Sequence, residues 1–195
     1  CMPYRGMDPD SATNSDSLRI MTELLFVCTS NKFRSPLAAA YFLKKIKENS
    51  SFIKNPEENW HVSSAGTWTE EGQPVAPYLL ERAYEMGLDL SAHRTREVTA
   101  EMLSAADLIF VMEKNHREML KIEFPESAKR IFLLGELSDP RFPEIPDPAF
   151  LNLKDSEGVI QTITSDIDHN FLKIIRMAEE RPFHHADAKI IQLEN

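Results

Sequence analysis

Cysteine is scarce: there are two in 195 residues, Cys1 and Cys28. A small disulfide-stapled scaffold is therefore excluded. The geometry a disulfide needs also speaks against a bond between the extreme terminus and the end of an apolar run. Glycine is scarce too, at six residues, which excludes a collagen-like repeat. No run of about 18 apolar residues occurs, so no membrane-spanning helix is expected. Internal repeats and low-complexity tracts are missing as well. Positive charge is short: 22 Lys and Arg stand against 31 Asp and Glu, a net charge of −9. General nucleic-acid binding takes a basic patch and is not expected. A local positive pocket for an anion remains compatible with that balance.

What is present reads as one ordinary globular domain, 42% hydrophobic and 27% charged. Residues 1–17 are polar and rich in Pro, Gly and Ser, and read as a disordered or vector-derived tail with no secretory signal. Residues 183–195 read as a second short tail, leaving a domain over 18–182. With one thiol embedded in the fold, a reducing cytoplasmic setting is expected.

Inside the domain, apolar runs alternate with helical patterns. Strands are expected over Glu23–Cys28, Trp60–Ser64, Asp107–Met112 and Arg130–Leu134. Helices are expected over Ser35–Glu48, with Pro36 near its first position, Val75–Met86, stopped by Gly87, Asn115–Phe124, and Glu157–Arg181. The last carries Ile160, Ile163, Ile167, Phe171, Ile174 and Ala178 on one stripe. Strand and helix in alternation mean βαβ crossovers and a parallel sheet covered on both faces. The expected fold is a three-layer α/β/α domain around a four-stranded parallel sheet.

In such sheets ligands sit beyond the carboxyl ends of the strands. The first strand delivers Cys28-Thr29-Ser30-Asn31-Lys32-Phe33-Arg34-Ser35-Pro36 to that place. Successive backbone N–H groups can curl into a nest around an oxyanion, and the helix N-terminus adds partial positive charge. Arg34 can fork two phosphate oxygens. The same field favours a thiolate at Cys28, and Ser35 can donate to it. An isolated Cys-to-Arg spacing would be a buried small hydrophobe; its place between an apolar strand and a helix start makes it an anion-binding loop. A thiolate displacing phosphate needs an acid for the leaving oxygen. Asp147, between Pro146 and Pro148, is held on a stiff loop, as a candidate acid or as a surface-turn residue.

These residues resemble the low-molecular-weight protein tyrosine phosphatases. FVCTSNKFRSP resembles the family's phosphate loop, and VSSAGT (Val62–Thr67) the segment after its second strand. Gly72-Gln73-Pro74, Gly87–Thr99, Ala106–His116 and IPDPAF resemble, in order, the helix-starting Gly-x-Pro stretch, the His-Arg-x-Arg stretch, the third strand with its turn, and the acid loop. The resemblance implies a flavodoxin-like fold and hydrolysis of phosphotyrosine in proteins or peptides, with inorganic phosphate as product and no metal, cofactor, membrane or nucleic acid involved. It implies Cys28 as the nucleophile that becomes phosphocysteine and Arg34 as the phosphoryl-binding group. Asp147 is implied as general acid and then general base. Thr29, Ser30, Asn31, Lys32, Phe33 and Ser35 would form the phosphate loop, with Asn31, Ser35, Ser64 and His93 holding its shape.

Departures from the family pattern qualify these roles. Ser30 stands where glycine is usual, and a positive φ there would cost it about 1 kcal/mol. Phe33 stands where a second cysteine is frequent, so Cys28 is expected to over-oxidise irreversibly. Lys32 at the rim either favours acidic peptides or is simply solvated. Trp68 and Phe150 are either walls for an aromatic ring or core residues. Other readings are a related arsenate reductase, disfavoured by the missing third cysteine, a phosphoarginine phosphatase, disfavoured by Lys32, and a phosphate-binding relic.

Overall fold

The computed structural model describes residues 21–51, 53, 56–148 and 153–180. The two expected tails, Cys1 and Phe150 lie outside the described residues. The strands β1 (Thr22–Cys28), β2 (Trp60–Gly66), β3 (Leu108–Val111) and β4 (Ile131–Leu133) pair in parallel in the order β2-β1-β3-β4. The helices are α1 (Arg34–Glu48), α2 (Pro56–Asn59), α3 (Pro77–Glu85), α4 (Ala100–Ala105), α5 (Lys114–Glu123) and α6 (Leu153–Glu179). The chain leaves β1 for β2 on one side and returns to β3 on the other. Connections diverge between β1 and β3, and that divergence opens a crevice at the strands' carboxyl ends.

The period of two along β1 divides the core. Leu24, Phe26 and Cys28 pack with Leu37, Phe42 and Ile46 of α1 and with Ile160, Ile163, Ile167, Phe171 and Ile174 of α6. Leu25 and Val27 point the other way, to Leu103 of α4 and Leu120 of α5. Phe26 stacks on Phe110 with ring centroids 5.8 Å apart, and Phe42 meets Phe171 at 5.4 Å. Burying one such ring contributes about 1.5–3 kcal/mol. The same alternation aims Cys28 toward α1, so core packing and the placing of the thiol have one cause.

Several boundaries differ from the sequence reading. Helix α1 starts at Arg34, which makes Pro36 its third residue, still among the N–H groups that have no partner within the helix. Helix α3 starts at Pro77, because a proline pushes the residue before it out of the helical region; Ala76 is at φ −55°, ψ 135°. Strand β2 continues to Gly66, whose N–H and carbonyl bond Arg96 and Val98. Helix α4 was not expected from hydrophobic period: it is six residues long, and Thr99 caps it by accepting from the Met102 N–H.

Candidate active site

Cys28 ends β1 and Arg34 begins α1, so residues 29–33 make the turn at the carboxyl end of this inner strand. Backbone bonds fasten that turn on two sides. The Thr67 N–H donates to the Cys28 carbonyl at 2.9 Å, Trp68 to Thr29 at 3.0 Å, and Ala76 to Lys32 at 2.9 Å. The Thr69 hydroxyl donates to the Ser30 carbonyl at 2.6 Å.

Asn31 is the hub of the turn. Its φ is 54°, the only positive value among the described non-glycine residues, and asparagine tolerates that region better than most. The strain expected at Ser30 is therefore not found: the left-handed residue is its neighbour, and Ser30 needs no glycine-like backbone. The Asn31 amide donates to Ser35 Oγ at 2.9 Å and to Ser64 Oγ at 3.0 Å. Its side-chain oxygen accepts from the Arg96 N–H at 3.1 Å, and its carbonyl accepts from His93 Nε2–H at 2.9 Å. Burial pushes the His93 imidazole pKa down, with that carbonyl bond acting the other way. The Cys28 Sγ lies 3.1 Å from Ser35 Oγ, which also reaches the Ala65 carbonyl at 3.1 Å. Ser35 has one proton for two acceptors and can turn it to the sulfur when a thiolate forms.

Arg34 is 1% exposed and fully engaged at its two amino groups. Nη1 donates to Glu113 and, at 2.8 Å, to the Ile145 carbonyl. Nη2 donates to Asp147 Oδ2 at 2.6 Å and to Thr29 Oγ1 at 3.1 Å. Carboxylates thus sit on both arms of the Arg34 fork.

A cleft of about 550 Å³ opens above the turn, lined by Thr29, Ser30, Lys32, Trp68, Thr69, Glu70 and Asp147. Trp68 is 80% exposed on its wall, which removes the core-packing alternative for that ring. Phe33 is buried in the core instead of lining the cleft. The structure therefore brings together Cys28, Thr29, Ser30, Asn31, Lys32, Arg34, Ser35, Ser64, Trp68, His93 and Asp147. It adds residues that sequence reasoning did not single out. Glu113 pairs with Arg34, His116 Nε2 lies 3.0 Å from Thr29 Oγ1, and Arg96 braces Asn31 and the Ser64 carbonyl. Glu113 and His116 follow the strand beside β1, at the divergence between β1 and β3; that position was the signal available for them.

A thiol and a buried guanidinium at a helix start, with a carboxyl group held against that guanidinium beside a cleft, fit a phosphate-ester hydrolase. The sequence profile of the low molecular weight phosphotyrosine protein phosphatases matches residues 23–181, and the chain belongs to that family. A probable low molecular weight protein-tyrosine-phosphatase EpsP of Ralstonia nicotianae is 30% identical over 145 residues, 74% of this chain and 90% of the relative. A protein-arginine-phosphatase of Bacillus subtilis is 29% identical over 126 residues, 65% of this chain and 79% of the relative. The crystal structure of a low molecular weight protein tyrosine phosphatase from T. tengcongensis superposes with a TM-score of 0.69 at 31% identity, covering 78% of this chain and 99% of the other.

Proposed function

We infer that the protein is a protein tyrosine phosphatase working through a phosphocysteine on Cys28. The observation that carries this reading is the buried Arg34 fork, closing the turn from Cys28 and shared with Asp147. In the first step the Cys28 thiolate attacks phosphorus while Asp147 protonates the departing phenolic oxygen. In the second, Asp147 takes a proton from water as the water attacks the thiophosphate, and Cys28 leaves as thiolate. Arg34, with the backbone N–H groups of the turn, balances the charge on the phosphoryl oxygens. Asn31, Ser35, Ser64 and His93 hold those donors in place. The free Cys28 that this chemistry requires fits a reducing, cytoplasmic setting.

An exposed Trp68 on the cleft wall supports a phenolic substrate, since an aromatic ring offers a stacking face to another. Phosphoarginine is the second reading. Glu70 and Asp147 on the cleft could accept from a guanidinium, while Lys32 opposes it. Relative kcat/KM on matched phosphotyrosine and phosphoarginine peptides tests the choice. Faster hydrolysis of phosphotyrosine, weakened by Trp68→Ala, is the expected outcome. Preference for phosphoarginine would overturn it.

A further inference from the structure

We propose that Thr29 binds the substrate's phosphoryl group through its hydroxyl, and that His116 is the positioning residue that turns the hydroxyl proton toward it. The inference rests on the reading of residues 28–34 as the phosphoryl-transfer loop.

Thr29 follows Cys28 and is one of the residues that line the cleft. A hydroxyl has one proton to give and two lone pairs to receive with. Arg34 Nη2, which can only donate, takes one lone pair of Thr29 Oγ1 at 3.1 Å. The other neighbour of that oxygen is His116 Nε2 at 3.0 Å, which gives or takes according to the ring's tautomer. The opposite nitrogen of the ring decides which. His116 is 5% exposed, and its buried Nδ1 has no hydrogen-bond partner among the described residues. A proton on Nδ1 would be a buried unpaired N–H, a group that folded proteins avoid more strictly than an unpaired acceptor. The favoured ring therefore leaves Nδ1 bare and carries its proton on Nε2. Burial pushes the imidazole pKa down and so favours this neutral form; Arg34 acts in the same direction, while Glu113, Asp147 and Glu144 act against it.

With Nε2–H donating, both lone pairs of Thr29 Oγ1 are filled. Its own proton then has no acceptor among Arg34 and His116, and the cleft is the direction left. There the proton meets an oxygen of the phosphoryl group attached to, or about to attach to, Cys28. A donor whose lone pairs are already committed needs no reorganisation when the charged oxygen arrives. Valine at position 29 would fill similar space and lack this donor.

The test uses p-nitrophenyl phosphate turnover and inhibition by inorganic phosphate, with urea melts to measure folding. The variants are Thr29→Val, Thr29→Ser, His116→Leu, His116→Gln, the double Thr29→Val/His116→Leu, and Cys28→Ser. Thr29→Val is expected to lower kcat/KM and weaken phosphate inhibition, each by about tenfold, the scale of one hydrogen bond to a charged group. Thr29→Ser should stay near wild type. His116→Leu should lose as much as Thr29→Val, His116→Gln should recover part through its amide N–H, and the double variant should be no worse than Thr29→Val alone. Wild-type behaviour of Thr29→Val overturns the inference, and so does a double variant whose losses multiply, which would leave His116 a structural role only. If His116→Leu does not fold, His116→Gln in the Thr29→Val background replaces it: no further loss supports the inference, and multiplied losses overturn it. Turnover by Cys28→Ser would instead overturn the underlying reading of the loop.

Discussion

Gly66 shows how closely single residues are constrained around this site. A Cβ placed there would lie 2.6 Å from the Thr29 carbonyl oxygen and 3.1 Å from the Asn31 nitrogen. Those atoms are backbone and cannot swing aside. Gly66→Ala is thus expected to displace the turn between Cys28 and Arg34 and to lower kcat by about a hundredfold, since small misplacements at reacting groups have effects of that size. Steady-state kinetics beside a urea melt would check this, and kcat within twofold of wild type would show that the turn has slack. At this scale the sequence is informative where the chemistry is local along the chain. Cys28, Arg34 and the polar residues between them lie in one stretch. Glu113 and His116 are harder to read, because each is 79 or more residues from its partner, Arg34 or Thr29, and the contact exists only once β3 lies beside β1. The strain expected at Ser30 fails for a related reason: a glycine-like position in a motif does not say which residue of the turn takes the positive φ.

Helix and strand ends place the chemistry. Helix α1 has no acidic residue in its first turn and carries Lys45 and Lys47 in its last, so no carboxylate of its own offsets its positive end. Its seat is fixed by α6, whose Ile160, Ile163, Ile167, Phe171 and Ile174 stripe packs against the same face of the sheet. Ile167 is fully buried there, away from the cleft-lining residues. Ile167→Ala is expected to destabilise the fold by about 2–5 kcal/mol while leaving kcat near wild type in the folded fraction. Urea denaturation with activity assays distinguishes this from a loss of kcat without loss of stability, which would tie α6 directly to the site. The long elements are legible because their apolar periods run for several turns. Helices α2 and α4 are not, at four and six residues, since one turn leaves no period to detect. Helix α4 could have been found through its Thr99 cap instead.

Across the whole molecule, buried titrating groups pull stability in opposite directions as pH changes. Burial raises the pKa of Asp166 above its ordinary 3.8, against the hydrogen bond with Ser138 and the nearby His169. The folded state therefore prefers Asp166 protonated. That contribution is complete below pH 3.8 and is lost as pH rises through the raised value. Burial lowers His93 and His116 below their ordinary 6.5, so their contribution is present above that pH and is lost as pH falls through the depressed values. Asp166→Asn is expected to raise the urea midpoint at neutral pH and to steepen the remaining fall on the acid side. A midpoint unchanged at neutral pH would show that Asp166 carries its charge there without penalty. The net charge of −9 belongs to this scale too. It is a property of the surface, and it is compatible with the proposed anion site because Arg34 and the start of α1 are held at one crevice of the sheet. The strand order that makes this crevice is not legible from the sequence, whose alternation implies a parallel sheet without specifying which strands are neighbours.

Formation of a phosphocysteine is the central claim, and trapping it is the most direct test. The protein would be mixed with p-nitrophenyl phosphate, quenched in acid, digested, and its phosphate located by mass spectrometry. Phosphate on Cys28, together with loss of both the adduct and p-nitrophenol release in Cys28→Ser, is the expected result. Turnover retained by Cys28→Ser, or phosphate found on a different residue, would contradict it.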